Sequence, residues 1–181
     1  MKIKVSNEMK EIANTYAPKL NIGGRSNLSK ERLAKVPRLE FQYTGLYGEL
    51  AWYQYRYNDL SKFIEVQEQK NSVIKKGKGD NGYDDKMFFD KDRLIDIKTS
   101  HILDDKKIKT LNLIVSPNEY HENSIYISAF AIGKDRINVD EVVLQGYALS
   151  EDITERWFID KTKYAVKVSK LKDIKDLYEK F

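Results

Sequence analysis

The order of helix-type and strand-type segments predicts an α/β domain, with α+β as the alternative class. A stripe of apolar residues at spacings of three and four occupies residues 46–66, and strand-type segments follow it as far as residue 149. The chain has 181 residues, which fits one domain with one core. No repeat or linker-like segment divides it, so we predict a single domain over residues 1–181.

The helical elements are predicted from spacing and from capping residues. Residues 1–22 show only a weak helical pattern, and Ser29 is a candidate N-cap for a short helix over residues 30–35 that Pro37 ends. The long helix is predicted over residues 46–66. Its apolar stripe consists of Leu46, Leu50, Tyr53, Tyr57, Leu60 and Ile64. Near the end of the chain, residues 168–181 alternate apolar and charged residues in a pattern that predicts a further helix.

The strands are predicted from short apolar or alternating runs between polar turns. The segments with this pattern are residues 83–89, 93–102, 111–115, 125–132 and 139–149. The turn between the first two contains Asp90-Lys91-Asp92. The sequence therefore predicts a hairpin followed by further strands.

Composition excludes several classes of protein. Hydrophobic residues are 41% and charged residues 33%, which is typical of globular proteins and not of disordered ones. The chain has no cysteine, so disulfides and thiolate metal sites are excluded and a cytoplasmic location is expected. No apolar run approaches the ~18 residues of a membrane span, and no secretory signal is expected. The net charge of +4 permits a polyanionic partner.

Two aspartates and a lysine are predicted to share one sheet face. Alternation along the second strand of the hairpin puts Asp96 and Lys98 on the face opposite to the flanking isoleucines. If residues 90–92 form a three-residue turn, Asp84 pairs with Lys98 and lies diagonal to Asp96. A buried acid is costly without a partner or a metal, so we expect Asp96 to be functional.

This combination of groups suits phosphodiester hydrolysis. Carboxylate oxygens are hard donors of the kind that Mg²⁺ prefers, and the metal can polarise a phosphodiester and lower the pKa of a bound water. Lys98 can orient or deprotonate the attacking water, or offset charge on the pentacovalent transition state. Glu49 flanks the apolar stripe of the long helix and can supply another ligand.

These motifs resemble the signature of the PD-(D/E)XK nuclease superfamily. The signature-like parts are GDNGYD at residues 79–84 and DIKTS at residues 96–100. The segment GLYGELA at residues 45–51 is similar to the helix that carries the glutamate in archaeal Holliday-junction resolvases and in phage and restriction nucleases. Tyr83 stands where the family name places a proline. The resemblance implies a mixed central sheet flanked by helices, a restriction-endonuclease-like core over about residues 45–132, with residues 1–40 and 150–181 as peripheral extensions.

Carried over position by position, the resemblance implies a role for each of four residues. Glu49 would be the helix acid, Asp84 the central metal ligand, Asp96 the acid of the D-X-K triplet and Lys98 its lysine. The implied activity is that of a Mg²⁺-dependent deoxyribonuclease, an endonuclease for which Mn²⁺ can substitute. Two alternatives stay open: a Holliday-junction resolvase acting as a homodimer, and a non-catalytic nucleic-acid-binding protein on a nuclease-like fold.

DNA is the expected partner, and several polar side chains around the motifs are candidate phosphate contacts. The candidates are Lys75, Lys76, Lys78, Thr99, Ser100 and Arg56. The alternative for the lysines is an exposed loop without a partner. The alternative for the two hydroxyl residues is hydrogen bonding to neighbours within the sheet.

Overall fold

The computed structural model describes residues 1–22, 37–75, 85–86, 93–153, 155–156 and 164–179. In this part of the chain a mixed five-stranded sheet carries helices on one face and a small second sheet on the other. The predicted fold class, α/β with a mixed sheet flanked by helices, is confirmed. Of the helices in these ranges, none is long and apolar enough to cross a membrane.

The strands belong to two sheets. In chain order they are β1 (Lys2–Lys4), β2 (Asp85–Lys86), β3 (Leu94–Ile102), β4 (Asn112–Val115), β5 (Ser124–Gly133), β6 (Val139–Leu149), β7 (Glu155–Arg156) and β8 (Tyr164–Lys167). The main sheet has the order β1-β6-β5-β3-β2, in which β3 and β5 are parallel and the other neighbours antiparallel. The second sheet has the antiparallel order β4-β8-β7.

Three helices cover one face of the main sheet, and a short one follows near the end of the chain. They are α1 (Asn7–Ile22), α2 (Arg38–Tyr57), α3 (Ser61–Lys75) and the short α4 (Asp176–Glu179). Buried side chains of all three long helices, such as Ala13, Leu50 and Phe63, pack with Ile95 and Ile127 of the sheet. The buried face of α1, from Met9 to Ala17, therefore belongs to the main core, although the first 22 residues show only a weak helical pattern.

The prediction of one uninterrupted helix over residues 46–66 was wrong. The chain leaves α2 at Asn58, whose left-handed backbone has φ 49° and ψ 31°, and its N–H donates to Gln54 O at 3.1 Å. Asparagine tolerates this conformation better than most residues do. Asp59 then accepts a hydrogen bond from Ser61 N at 2.9 Å at the start of α3. Leu60, which follows the break, packs in the same core as the buried face of α2, so the apolar spacing continues into α3.

The second sheet packs on the other face of the main sheet. Leu113 and Val115 of β4 and Val166 of β8 are buried with Tyr126 of β5. A smaller cluster joins Ile108 and Val168 to Phe130 and Val143 further along the same face. Odd-numbered residues of β5 thus face the helices and even-numbered ones face the small sheet.

The predicted strands over residues 93–102, 111–115, 125–132 and 139–149 are confirmed to within one residue. The predicted strand over residues 83–89 is described only at residues 85–86, and the predicted helix over 30–35 lies outside the described residues. The prediction of a helix over residues 168–181 was wrong for most of its length. Lys172 instead pairs with Tyr147 through backbone hydrogen bonds of 2.9 and 3.0 Å, and helix begins only at Asp176.

Candidate active site

Asp96 and Lys98 project together from β3 on the face away from the helices. The strand register pairs Asp96 with Tyr126 and Lys98 with Ser128, while Ile95 and Ile97 are buried in the core beneath the helices. Lys98 Nζ lies 2.8 Å from Asp96 Oδ2. Asp96 is 8% exposed, so the carboxylate is buried and is compensated by a charged partner.

The predicted register of the hairpin was wrong by two residues. Asp85 pairs with Ile95 and Lys86 with Leu94, which is not the pairing that a three-residue turn at residues 90–92 would give. In the predicted register, Asp84 pairs with Lys98 and Asp85 therefore pairs with Ile97. The shift is by an even number of residues, which leaves the predicted alternation of faces intact. Asp84 itself lies outside the described residues.

Glu119 is a third charged residue at this site, and the sequence did not point to it. Its Oε2 lies 3.1 Å from Lys98 Nζ, so Lys98 donates hydrogen bonds to two carboxylates. Glu119 ends the 3₁₀ turn Pro117–Glu119 that follows β4. In the sequence this residue is one polar member of a connecting loop, and only the fold brings it to β3.

Two tyrosines hold the turn that carries Glu119. The buried Tyr126 hydroxyl accepts a hydrogen bond from His121 N at 2.6 Å and donates to Glu119 O at 3.1 Å. Burial raises the pKa of this tyrosine. The ring of Tyr120 stacks on that of Tyr126 with centroids 6.3 Å apart, and its hydroxyl donates to Ser150 O at 3.1 Å. The turn is therefore tied to both β5 and the end of β6.

The ammonium form of Lys98 is favoured by its two partners. Burial alone would lower the pKa of Lys98, but attraction and hydrogen bonding to Asp96 and Glu119 outweigh it, so the pKa lies above the usual 10.5. A lysine in this state offers a positive charge and hydrogen-bond donors. This state suits stabilising negative charge on a phosphate better than accepting a proton from water.

Glu49 makes a hydrogen bond within the helix layer. It lies in α2, and its Oε2 accepts a hydrogen bond from Nε2 of the buried Gln67 of α3 at 3.0 Å. Asp96 and Lys98 project from the opposite face of the sheet. The structure thus brings together two of the four predicted catalytic residues, Asp96 and Lys98.

Thr99 and Ser100, the predicted hydroxyl contacts to DNA, lie on different faces of β3. Ser100 is exposed and shares the face of Lys98 by strand alternation. Thr99 points to the helices, where its Oγ1 is buried so close to Gly48 that a Cβ at position 48 would overlap it. Thr99 therefore does not share the face of Lys98.

The predicted basic contacts are only partly described. The guanidinium of Arg56 stacks over the rings of Trp52 and Tyr57, at 5.7 and 4.9 Å from their centroids. Lys75 is the last residue of α3. Lys76 and Lys78 lie outside the described residues.

The oxygen donors on this face are of the type that a hard divalent cation binds. Asp96 and Glu119 supply carboxylate oxygens, which Mg²⁺ prefers. Within the described ranges, His, Asp and Glu side chains form no group of three or more arranged to hold a metal ion. Asp84, expected to complete such a group, belongs to the part of the chain outside those ranges.

Comparison with known proteins adds no relative. No protein-family model matches the chain, and neither a curated protein nor a solved structure matches it significantly.

Proposed function

We propose that this protein is a metal-dependent DNA endonuclease of the PD-(D/E)XK type. The observation that carries the proposal is the ion pair between Asp96 and Lys98, with Nζ and Oδ2 2.8 Å apart on one sheet face. A D-X-K triplet can occur anywhere in a charged chain. Here it lies on β3, an inner strand of the main sheet, and the acid is buried.

The proposal gives each residue a role. Mg²⁺ would be held by Asp84 and Asp96, and when bound it would polarise the phosphodiester and lower the pKa of a bound water. Lys98 would direct its ammonium at the scissile phosphate and offset the negative charge that grows there. Ser100, exposed on the same face, would donate a hydrogen bond to the DNA backbone.

The reaction proposed is hydrolysis. Water adds to phosphorus and loses its proton to solvent, and the bond from phosphorus to the 3′ oxygen breaks. The departing oxygen takes up a proton. The products are a 5′-phosphate and a 3′-hydroxyl.

The test compares wild type with Asp84→Asn and Lys98→Ala. Each protein is incubated with supercoiled plasmid and with a labelled four-way junction, with Mg²⁺ and with chelator. The proposal predicts Mg²⁺-dependent cutting by wild type and a rate lower by about 100-fold or more in both variants. Circular dichroism and thermal unfolding show whether each variant is folded. Lys62→Ala is the matched control, because Lys62 is an exposed lysine of α3 paired only with its helix neighbour Glu65 in the described structure.

The outcomes separate the three functions. Preference for the junction, together with a dimer in sedimentation, would select the resolvase alternative. DNA binding without cutting by any form, with metal present, would contradict the nuclease proposal and favour the non-catalytic binding protein.

A further inference from the structure

We infer that Glu119 is a positioning residue, one that holds the Lys98 ammonium in the site while Asp96 serves the metal. The inference rests on the proposed function for its catalytic part, whereas the pairing on which it is built can be tested without metal or DNA. Neither composition nor motif spacing singles out Glu119.

The first step is that Lys98 has two carboxylate partners of different exposure. The Asp96 side chain is 12% exposed and that of Glu119 is 32% exposed, while their oxygens lie 2.8 and 3.1 Å from Nζ. The lysine thus bridges a buried acid on its own strand and a more open acid on the turn after β4. Its ammonium is held from two directions.

The second step is that Lys98 and a divalent cation would compete for the Asp96 carboxylate. The oxygen that accepts from Lys98, Oδ2, is one of only two that Asp96 can offer to a cation. A divalent cation on Asp96 would weaken the attraction of that carboxylate for the ammonium and would itself repel it. Glu119 is the described carboxylate that would still attract Lys98, so it would prevent the side chain from swinging out of the site.

The third step is that the turn carrying Glu119 is tied to the sheet. The backbone carbonyl of Glu119 accepts from the Tyr126 hydroxyl, and Tyr126 is fully buried and paired with Asp96 across the strands. The tyrosine hydroxyl therefore ties the turn that carries Glu119 to the strand beside Asp96. Tyr120 adds a second tie through its stacking on Tyr126 and its hydrogen bond to Ser150.

The catalytic test uses Glu119→Gln, which keeps the size of the side chain and removes its charge. We expect kcat to fall about 10- to 100-fold with KM for DNA within about twofold, because a displaced lysine harms the transition state more than substrate binding. Tyr126→Phe, which leaves the carboxylate but removes the hydroxyl that ties the turn, should lower kcat by a smaller factor. Glu122→Gln is the matched control, since Glu122 is an exposed acid of the same loop.

The structural test is a double-mutant cycle in urea, without metal or DNA. Glu119→Gln should lower the equilibrium constant for folding by about fivefold in wild type and by less than twofold in a Lys98→Met background. An equal effect of Glu119→Gln in the two backgrounds would overturn the pairing of Glu119 with Lys98. Full kcat in Glu119→Gln, in a protein whose wild type cuts DNA, would overturn the positioning role and leave the nuclease standing. A wild type that does not cut DNA would overturn the proposed function and the catalytic part of the inference, while the cycle would still decide the pairing.

Discussion

At the scale of single residues, Lys98 and Thr99 are neighbours in the chain whose side chains meet different parts of the fold. Lys98 reaches Asp96 and Glu119, and Thr99 reaches the backbone of Gly48 in α2. Strand alternation separates the two faces, and this much follows from the sequence alone. The partner that each side chain meets depends on packing between distant segments.

The contact between Thr99 and Gly48 gives a prediction for stability. Gly48→Ala should lower the free energy of unfolding by about 1–3 kcal/mol, because a Cβ there overlaps Thr99 Oγ1 at a position where helix and sheet lie close together. Gly45→Ala is the control in the same helix, since a Cβ at position 45 meets nothing within 4 Å. It should raise stability by up to about 1 kcal/mol through helix propensity. Urea unfolding of both variants measures the difference between their free energies of unfolding. Equal free energies would contradict the close approach of Thr99 to Gly48.

The site was predictable to the extent that it is local. Asp96 and Lys98 lie two residues apart on one strand, so period-2 alternation placed them on the same face. Glu119 is 21 residues from Lys98 in the chain, and its approach depends on how β4 and its turn pack over Tyr126. No local pattern reports such a contact.

At the scale of secondary-structure elements, the strands followed from the sequence more closely than the ends of the helices did. The strand segments combine apolar runs with polar turns on both sides, which limits their bounds. The break at Asn58 has no comparable signal, because the apolar spacing continues through it into α3. The predicted helix after residue 168 failed since Lys172 uses its backbone to pair with Tyr147, a tertiary contact that overrides local preference.

The Arg93–Glu151 ion pair ties the start of β3 to the turn after β6, across the beginning of β5. Arg93 Nη2 lies 3.1 Å from Glu151 Oε1, and the hydrogen bond from Arg93 is the largest cause of a lowered pKa of Glu151. A carboxyl with a lowered pKa stabilises the fold above its unfolded-state pKa, near 4.5, and loses that contribution as the pH falls through the folded-state value. The Glu151 side chain is 53% exposed, so the effect is small.

The prediction concerns Glu151→Gln. At about pH 7 this variant should be less stable than wild type by about 0.5 kcal/mol, and the difference should shrink toward zero as the pH is lowered below about 4. Urea unfolding at several pH values measures it, with Glu122→Gln as an exposed-acid control. A deficit that stays constant at acid pH would show that the loss does not come from the charge of Glu151.

At the scale of the whole molecule, the mixed sheet flanked by helices was predicted, and the second sheet was not. The second sheet brings together Asn112–Val115 and Tyr164–Lys167, two short strands separated by the two longest strands of the main sheet. Pairing between such distant and short segments leaves little trace in local periodicity. The second sheet bears on the candidate site, because it packs on Tyr126, beside the Asp96–Lys98 pair.

The proposed function assigns DNA cleavage to the sheet face that bears Asp96 and Lys98. The chain contains a comparison triplet, Asp104-Asp105-Lys106, in which Asp104 is exposed and accepts a hydrogen bond from Lys106 N. This second triplet has the composition of a D-X-K motif but is exposed and lies outside the strands. Asp104→Asn is therefore a matched control for Asp96→Asn.

The most direct test is the single-turnover rate at which each variant cleaves a labelled DNA duplex in Mg²⁺, with folding verified by thermal unfolding. We expect Asp96→Asn to be slower than wild type by about 100-fold or more, whereas Asp104→Asn should cut within about twofold of the wild-type rate. Cleavage by a folded Asp96→Asn variant at the wild-type rate would contradict the assignment of the active site to this face.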